Sequence, residues 1–405
     1  MNNIKKIIYP IFFILILISC TNKNSNIGFP GSNIKNLQTV VDYTTFNNFS
    51  SYHLDIETFP SNSKIIVGNY KGIDSRILFK FTNLPTKINL IEDPVIKFFI
   101  NHKYNPQNIN LKIGLLENFV FDHNYANWTQ YNNTDEWNTP GGDFTESSSL
   151  ILDYDVVTDS TFFSFSIPKN IVQEWIDSNN TNYGLIIYAY DTEDSFIDFY
   201  SSKAGIEVRP NISLKYNDSN NIEITDTRNV TQDTFIHNKQ AEQLSINEMM
   251  ISNIAPKSIY FSFDLNKDYF DEVNTDYDFR KININQAYLI FSIDPENTLS
   301  YGSYLLGIGI PHTKPDINNL SSEFDINKMW LFSSTRDMVD YETNTIKINI
   351  TPIVQHIISN NRPNNGVYII NNQKNMDFSH IKLLGLDAED ENLKPVINIK
   401  YSILD

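Results

Sequence analysis

At 405 residues, 41% hydrophobic and 20% charged, the chain is too long for one ordinary core and too apolar for a disordered polymer, which predicts two globular units. Lys plus Arg total 31 against 48 Asp plus Glu, and the net charge of −17 repels phosphate backbones; this excludes nucleic acid as a partner and makes a polyanionic surface an awkward one. Aromatic residues reach 13%, through 22 Tyr, 27 Phe and 4 Trp, and the chain is rich in Asn, a mixture that suits pleated surfaces joined by turns and predicts an all-β fold.

Residues 1–20 read as an export leader. Lys5 and Lys6 precede an apolar run from Ile7 to Ile18, too short for a comfortable membrane span. The run closes with Leu17-Ile18-Ser19-Cys20, which resembles the bacterial lipobox, and Cys20 is the only cysteine in the chain. The resemblance implies lipidation of Cys20, with enough acyl chains for stable membrane attachment. The plain alternative is a free thiol at the end of a leader. Thr21 and Asn22 follow the cysteine, and the absence of Asp there, by resemblance to the sorting rules of enteric bacteria, points to the outer membrane or cell surface. A single cysteine allows no disulfide within the mature chain, so stability must come from large cores. Residues 21–38, with Asn, Ser, Gly and Lys, read as a flexible tether.

The first unit is expected over 39–217. Ile77, Phe79 and Phe81 alternate with Arg76, Leu78 and Lys80, the period of a strand, and Phe163, Phe165 and Ile167 repeat that pattern. Between them, Asn127 to Asn138 has poor periodicity and reads as a long loop carrying Trp128, Tyr131 and Trp137, with Asp143 after the turn Pro140-Gly141-Gly142. Aromatic faces on a sandwich loop are a physical platform for sugar rings, while Asn and Asp take the hydroxyls. The competing reading has Trp137 folding under its own turn to pin the loop. Ile171, Val172, Trp175 and Ile176 then fall on one face of a short helix, for which Asn170 is a candidate N-cap. Leu185-Ile186-Ile187-Tyr188 is a continuous apolar run, as expected of a strand buried on both faces. Asp191, Asp194 and Asp198 follow as candidate calcium ligands on an exported chain, with a solvated acidic turn as the alternative.

The second unit, 222–405, repeats the first. Phe79 and Phe81 fall on Phe261 and Phe263, Ile171-Val172-Gln173 on Ile353-Val354-Gln355, and Gly184 on Gly366, all at an offset of 182 residues. The ends agree too: Pro210-Asn211-Ile212-Ser213-Leu214-Lys215-Tyr216 matches Pro395-Val396-Ile397-Asn398-Ile399-Lys400-Tyr401. Thr351 and Pro352 are an expected N-cap and first-turn pair for the second helix. Trp330 lies in a strand-like run and is expected in the core.

The strand Ser75–Phe81, the loop Trp137-Asn138-Thr139-Pro140-Gly141-Gly142-Asp143-Phe144 and the helix Val172-Gln173-Glu174-Trp175-Ile176 before Gly184-Leu185 resemble, in that order, the DNRLRE-type domain. That family is a jelly-roll β-sandwich of bacterial surface proteins related to carbohydrate-binding modules. The resemblance covers the whole first unit and implies a β-sandwich and glycan binding, without catalysis. Glu136 stands where the family often has Thr, and the second unit lacks the Trp-x-x-Pro-Gly-Gly loop and carries Ile357 in place of Trp175.

No catalytic constellation is visible. His53, His102, His123, His237, His312, His356 and His380 show no H-E-x-x-H spacing, and there is no G-x-S-x-G, P-loop or G-x-G-x-x-G. The sequence therefore predicts two tandem jelly-roll-like antiparallel sandwiches, each with one short helix, on a lipid-anchored envelope protein. Its expected partner is a polysaccharide, held through Trp128, Tyr131, Trp137 and Asp143, and a neutral glycan is easier than an acidic one unless calcium or a basic patch around Arg76, Lys80 and Lys97 intervenes. The alternative is a structural or adhesion module that binds surface protein.

Overall fold

The computed structural model describes residues 35–42, 46–53, 63–146, 161–178, 182–218, 220–238, 249–254, 257–263, 265, 282–300, 304–316, 319–336, 339–340, 342–359, 363–372, 377–386 and 388–403. The leader, Cys20 and the tether up to residue 34 lie outside them. No helix among the described residues is long and apolar enough to cross a membrane.

The chain is all-β and builds two sandwiches. It begins with β1 (Lys35–Asp42) and β2 (Phe46–His53). Next come β3 (Lys64–Tyr70), β4 (Ile73–Lys80), β5 (Val95–Tyr104), β6 (Leu111–Leu116), β7 (Phe144–Glu146), β8 (Phe162–Ser166), helix α1 (Lys169–Asp177), β9 (Leu185–Ala189), β10 (Ser195–Tyr200) and β11 (Asn211–Asn217). Then follow β12 (Glu223–Asn229), β13 (Gln232–His237), β14 (Met249–Ser252), β15 (Lys257–Phe263), β16 (Ile282–Ser292) and β17 (Leu305–Pro311). The remainder is α2 (Leu320–Glu323), β18 (Met329–Arg336), β19 (Val339–Asp340), β20 (Thr345–Asn349), α3 (Thr351–Ile358), β21 (Val367–Asn371), β22 (His380–Leu383) and β23 (Val396–Ile403). All pairings between these strands are antiparallel.

In the first sandwich β5 serves both layers. Val95 to Phe99 pairs with β8, and Val95 to Lys97 also with β11, whereas Ile100 to Tyr104 pairs with β10 across a register shift. The second layer runs β10-β3-β4-β9-β6-β7. Rings from the two layers meet edge to face in the core: Phe98 lies 5.0 Å from Phe79 and 5.5 Å from Phe199. The second sandwich has a five-stranded layer, β1-β23-β16-β20-β19, against a layer ordered β18-β17-β21-β15-β14-β22. Ile, Leu, Val and Phe from both layers fill one continuous core there.

Each expected helix packs its apolar side against its sandwich, with Val172, Trp175 and Ile176 buried in α1 and Ile353, Val354 and Ile358 in α3. The caps differ from expectation. Pro168 and Ile350 hold the N-cap positions, while Asn170 and Thr351 lie inside the helices. The free N–H groups are satisfied from elsewhere: Lys169 N donates to Asp93 Oδ1 and Thr351 N to Asn349 Oδ1. The single turn α2 is a further helical element in the second unit. Trp330 is only half-buried, against the core edge and 4.3 Å from the His312 ring.

The repeat is visible as duplicated stitching. Gln173 donates from Nε2 to Ile88 O and accepts at Oε1 from Leu90 N; Gln355 does the same with Ile282 O and Ile284 N. Asn182 Nδ2 donates to Phe81 O, and Asn364 Nδ2 to Phe263 O. Gly184 adopts φ +111°, and a Cβ there would meet Phe79 O at 2.8 Å, which is why a glycine ends this connection.

Strand pairing departs from the expected division at 217/222 and at 39. β12 pairs with β11 and β13 with β4, so residues 223–237 complete the first sandwich. β1 pairs with β23 and β2 with β15, so these two strands complete the second. Proximity in sequence does not determine which edge a strand completes, and a self-match at fixed offset is silent on it. The two sandwiches also touch: Phe378 lies 4.7 Å from Phe196 and 5.8 Å from Tyr70, and His380 lies 5.7 Å from Tyr70.

Candidate functional site

In the layer containing β4 and β9, alternate side chains face opposite ways. Ile77, Phe79, Ile187 and Phe235 enter the main core, while Leu78, Ile186, Tyr188 and Ile236 face outward. An outward apolar face needs cover, and residues 117–143, between β6 and β7, supply it. Phe121, Ala126 and Trp137 are buried against it, with Phe119, Trp128 and Tyr131 half-buried around them. This is why Leu185 to Tyr188 is apolar at every position.

The Asn-rich stretch holds itself together by side-chain turns. Asn127 Oδ1 accepts from Thr129 N and Gln130 N, and Asn132 Oδ1 from Thr134 N and Asp135 N. Asp143 Oδ1 and Oδ2 accept from Thr139 N and Asn138 N. Trp137 is 5% exposed and its Nε1 donates to Asn127 O at 3.0 Å. Tyr131 stacks on Phe119 with ring centroids 4.6 Å apart and lies 5.5 Å from Trp137. The Arg76 guanidinium sits 4.6 Å from the centre of the Trp128 ring, and its Nη1 donates to Gly141 O. Gly141 has φ +93°, and a Cβ there would press on both Arg76 and Trp128.

The structure thus brings Trp128, Tyr131, Trp137 and Asp143 into one loop, with Trp137 buried and the other three half-buried. Asp143 shapes the turn, Trp137 pins the loop, and Trp128 is covered by Arg76. Of the expected basic patch, Arg76 and Lys80 fall on the same side of β4, and Lys97 lies apart from them. Arg76 is on the outer face of β4, whereas Lys97 belongs to the other layer, 3.9 Å from the Phe162 ring.

The loop leaves part of the outer face open. Asp74 and Arg76 share the outward side of β4, Lys112 lies opposite Tyr188 across β6 and β9, and Glu146 ends β7. Tyr188 Oη donates to Glu146 Oε1 at 2.5 Å, and Lys112 Nζ donates to Glu146 Oε2 at 3.3 Å. Tyr190, two residues on, is 54% exposed with the Lys112 ammonium 3.8 Å from its ring centre. Burial and the Glu146 carboxylate push the Tyr188 hydroxyl up, and the bonds from Tyr188 and Lys112 hold the Glu146 carboxyl below its ordinary range. Burial raises Asp74 even though Arg76 pairs with it at 3.1 Å. The shelf is therefore a charged and hydroxylated surface with one exposed ring.

Beside it lies a cleft of about 490 Å³ lined by Asn69, Gly72, Asp74, Ala189 and residues 191–194. Asp191 and Asp194 line this cleft with left-handed backbones, at φ +48° and +45°, and Asp194 Oδ1 accepts from Lys71 N. Asp198, the third expected calcium ligand, is instead fully buried on β10, opposite Ile66 and His102. Among the described residues, no three His, Cys, Asp or Glu side chains are grouped to hold a metal ion.

Strand parity was the signal for the residues that sequence reasoning missed. Once Ile77 and Ile187 are assigned inward, Arg76 and Tyr188 must face outward.

No family model and no curated protein matches the chain. One solved structure, of the infectious bursal disease virus Gx strain, aligns over 93% of this chain and 77% of that one at 9% identity. Its TM-score of 0.11 carries no argument about this fold.

Proposed function

We propose that this chain is a non-catalytic, lipid-anchored protein of the cell envelope that binds a neutral glycan on the open outer face of its first sandwich. The observation that carries this reading is the exposed Tyr190 ring, with the Lys112 ammonium over its face and Lys112 in turn paired with Glu146. A sugar packs its C–H face on such a ring and shares its hydroxyls with flanking carboxylates, amines and amides. The net charge of −17 favours an uncharged ligand over a polyanion. In this reading Trp128, Trp137 and Asp143 shape the loop, and the site lies on the strands outside it.

Isothermal titration against a panel of neutral polysaccharides tests it. Tyr190→Ala should abolish measurable binding while Trp137→Phe retains it, and equal affinity in wild type and Tyr190→Ala would remove this surface from consideration.

The inward packing of Trp137 favours a second reading, a structural or adhesion module that binds protein. Under it no glycan binds, and a protein partner is held on another face, indifferent to Tyr190.

A further inference from the structure

The two sandwiches are completed in a crossed manner. β12 and β13 follow β11 after a short turn and finish the sandwich to which they are directly joined, β12 on β11 and β13 on β4. β1 and β2 perform the same two tasks in the second sandwich, β1 on β23 and β2 on β15. In the chain, however, β2 leads through residues 54–62 into β3, so the covalent path from this segment to the second sandwich runs through the whole first one. Six register pairs join β1 to β23 and seven join β2 to β15. β23 already uses its other edge on β16, and β15 is paired along its other side by β21, so the segment occupies positions that no other described strand fills.

A strand pair attached to one body and seated on another fits the same position in any copy of the molecule. We propose that β1 and β2 of one copy complete the second sandwich of another copy, linking molecules head to tail. The contact is heterologous: the segment is joined in the chain to the first sandwich, and its acceptor edges belong to the second. Closure within one chain, closed rings and open filaments are therefore alternative products of one pairing. Main-chain hydrogen bonds supply the affinity, as in strand addition to any open edge. Closure within a chain competes through an effective concentration on the order of millimolar, so exchange grows as copies are crowded together. An unfilled acceptor would expose two sheet edges, a hazard that pairing with a second copy removes.

Thr39 faces Lys400 across β1 and β23, which gives a direct test. In a Cys20→Ser background, full-length Thr39→Cys and Lys400→Cys variants are unfolded together, refolded as an equal mixture at rising concentration and oxidised. The proposal expects a mixed disulfide between position 39 of one chain and position 400 of another, exceeding like-with-like disulfides about tenfold and increasing with concentration. A variant carrying both cysteines reports closure within a chain. An internal disulfide there, with no mixed product at any concentration, overturns exchange and leaves the segment an internal one. No specific disulfide in either sample also overturns it, because β1 is then not seated on β23.

Discussion

The outer faces of the two sandwiches show what duplication kept and what it changed. Leu78 and Ile186 in the first correspond at the repeat offset to Tyr260 and Tyr368 in the second, and both pairs are buried under a connection between equivalent strands. In the first, residues 117–143 bring Trp137, Phe121 and Ala126. In the second, the shorter connection before β18 brings Leu320 from α2 and Phe324, and Tyr260 Oη reaches Asn365 O at 2.9 Å. Beneath these different covers the Gln173/Gln355 and Asn182/Asn364 stitches are the same. The frame is shared, and the cover is where the copies diverge, as expected if function sits on loops held by a rigid scaffold.

The largest effect that sharpens this comparison should come from the cover itself. Trp137→Ala removes a buried indole and its hydrogen bond to Asn127 O, and should cost about 3–5 kcal/mol in a denaturant melt. Phe324→Ala in the second sandwich removes a half-buried ring and should cost clearly less; equal losses would deny that the first cover is the heavier one.

The shared frame predicts equality instead. Gln173→Ala and Gln355→Ala each strand one backbone N–H and one C=O, and each should destabilise by about 1–3 kcal/mol. A difference of more than about 2 kcal/mol between them would break the claim that the two stitches are equivalent.

A smaller effect concerns the seam between the sandwiches. Burial lowers the affinity of His380 and His102 for a proton, with Lys71 and Lys257 adding to it for His380 and Lys64 for His102. Below the ordinary histidine value of 6.5 the unfolded chain gains protons that the folded chain does not, so stability is full above that pH and declines as pH falls past it. Thermal melts between about pH 7.5 and 5 should show this decline, and His380→Asn should flatten it. An unchanged slope in the variant would remove His380 as a source.

The smallest effect is Tyr190→Ala, which should shift stability by no more than about 0.5 kcal/mol while removing glycan binding.

Much of the frame was legible from the residues. Period-two alternation located β4 and β8, the continuous apolar run located β9, and the spacing of Ile171, Val172, Trp175 and Ile176 located α1. The cap positions were not legible, because the N–H groups find Asp93 and Asn349 instead of Asn170 and Thr351. Nor was the crossed pairing, since strand partners depend on which edges remain open after folding. At the site, the aromatic loop was recognised, but loop aromatics can face a ligand or a hidden apolar face. Leu78 between Ile77 and Phe79 was the residue that favoured the second, because an outward leucine needs a cover. The outward row of Arg76, Lys112, Tyr188 and Tyr190 could be assembled only once the strands were placed side by side.

The most direct measurement is hydrogen–deuterium exchange with and without a neutral polysaccharide that binds. Sugar should slow exchange in residues 110–114, 144–146 and 188–194 and leave 127–138 unchanged. Slowing confined to 127–138, or absent from all of these segments, would contradict a site on the open outer face.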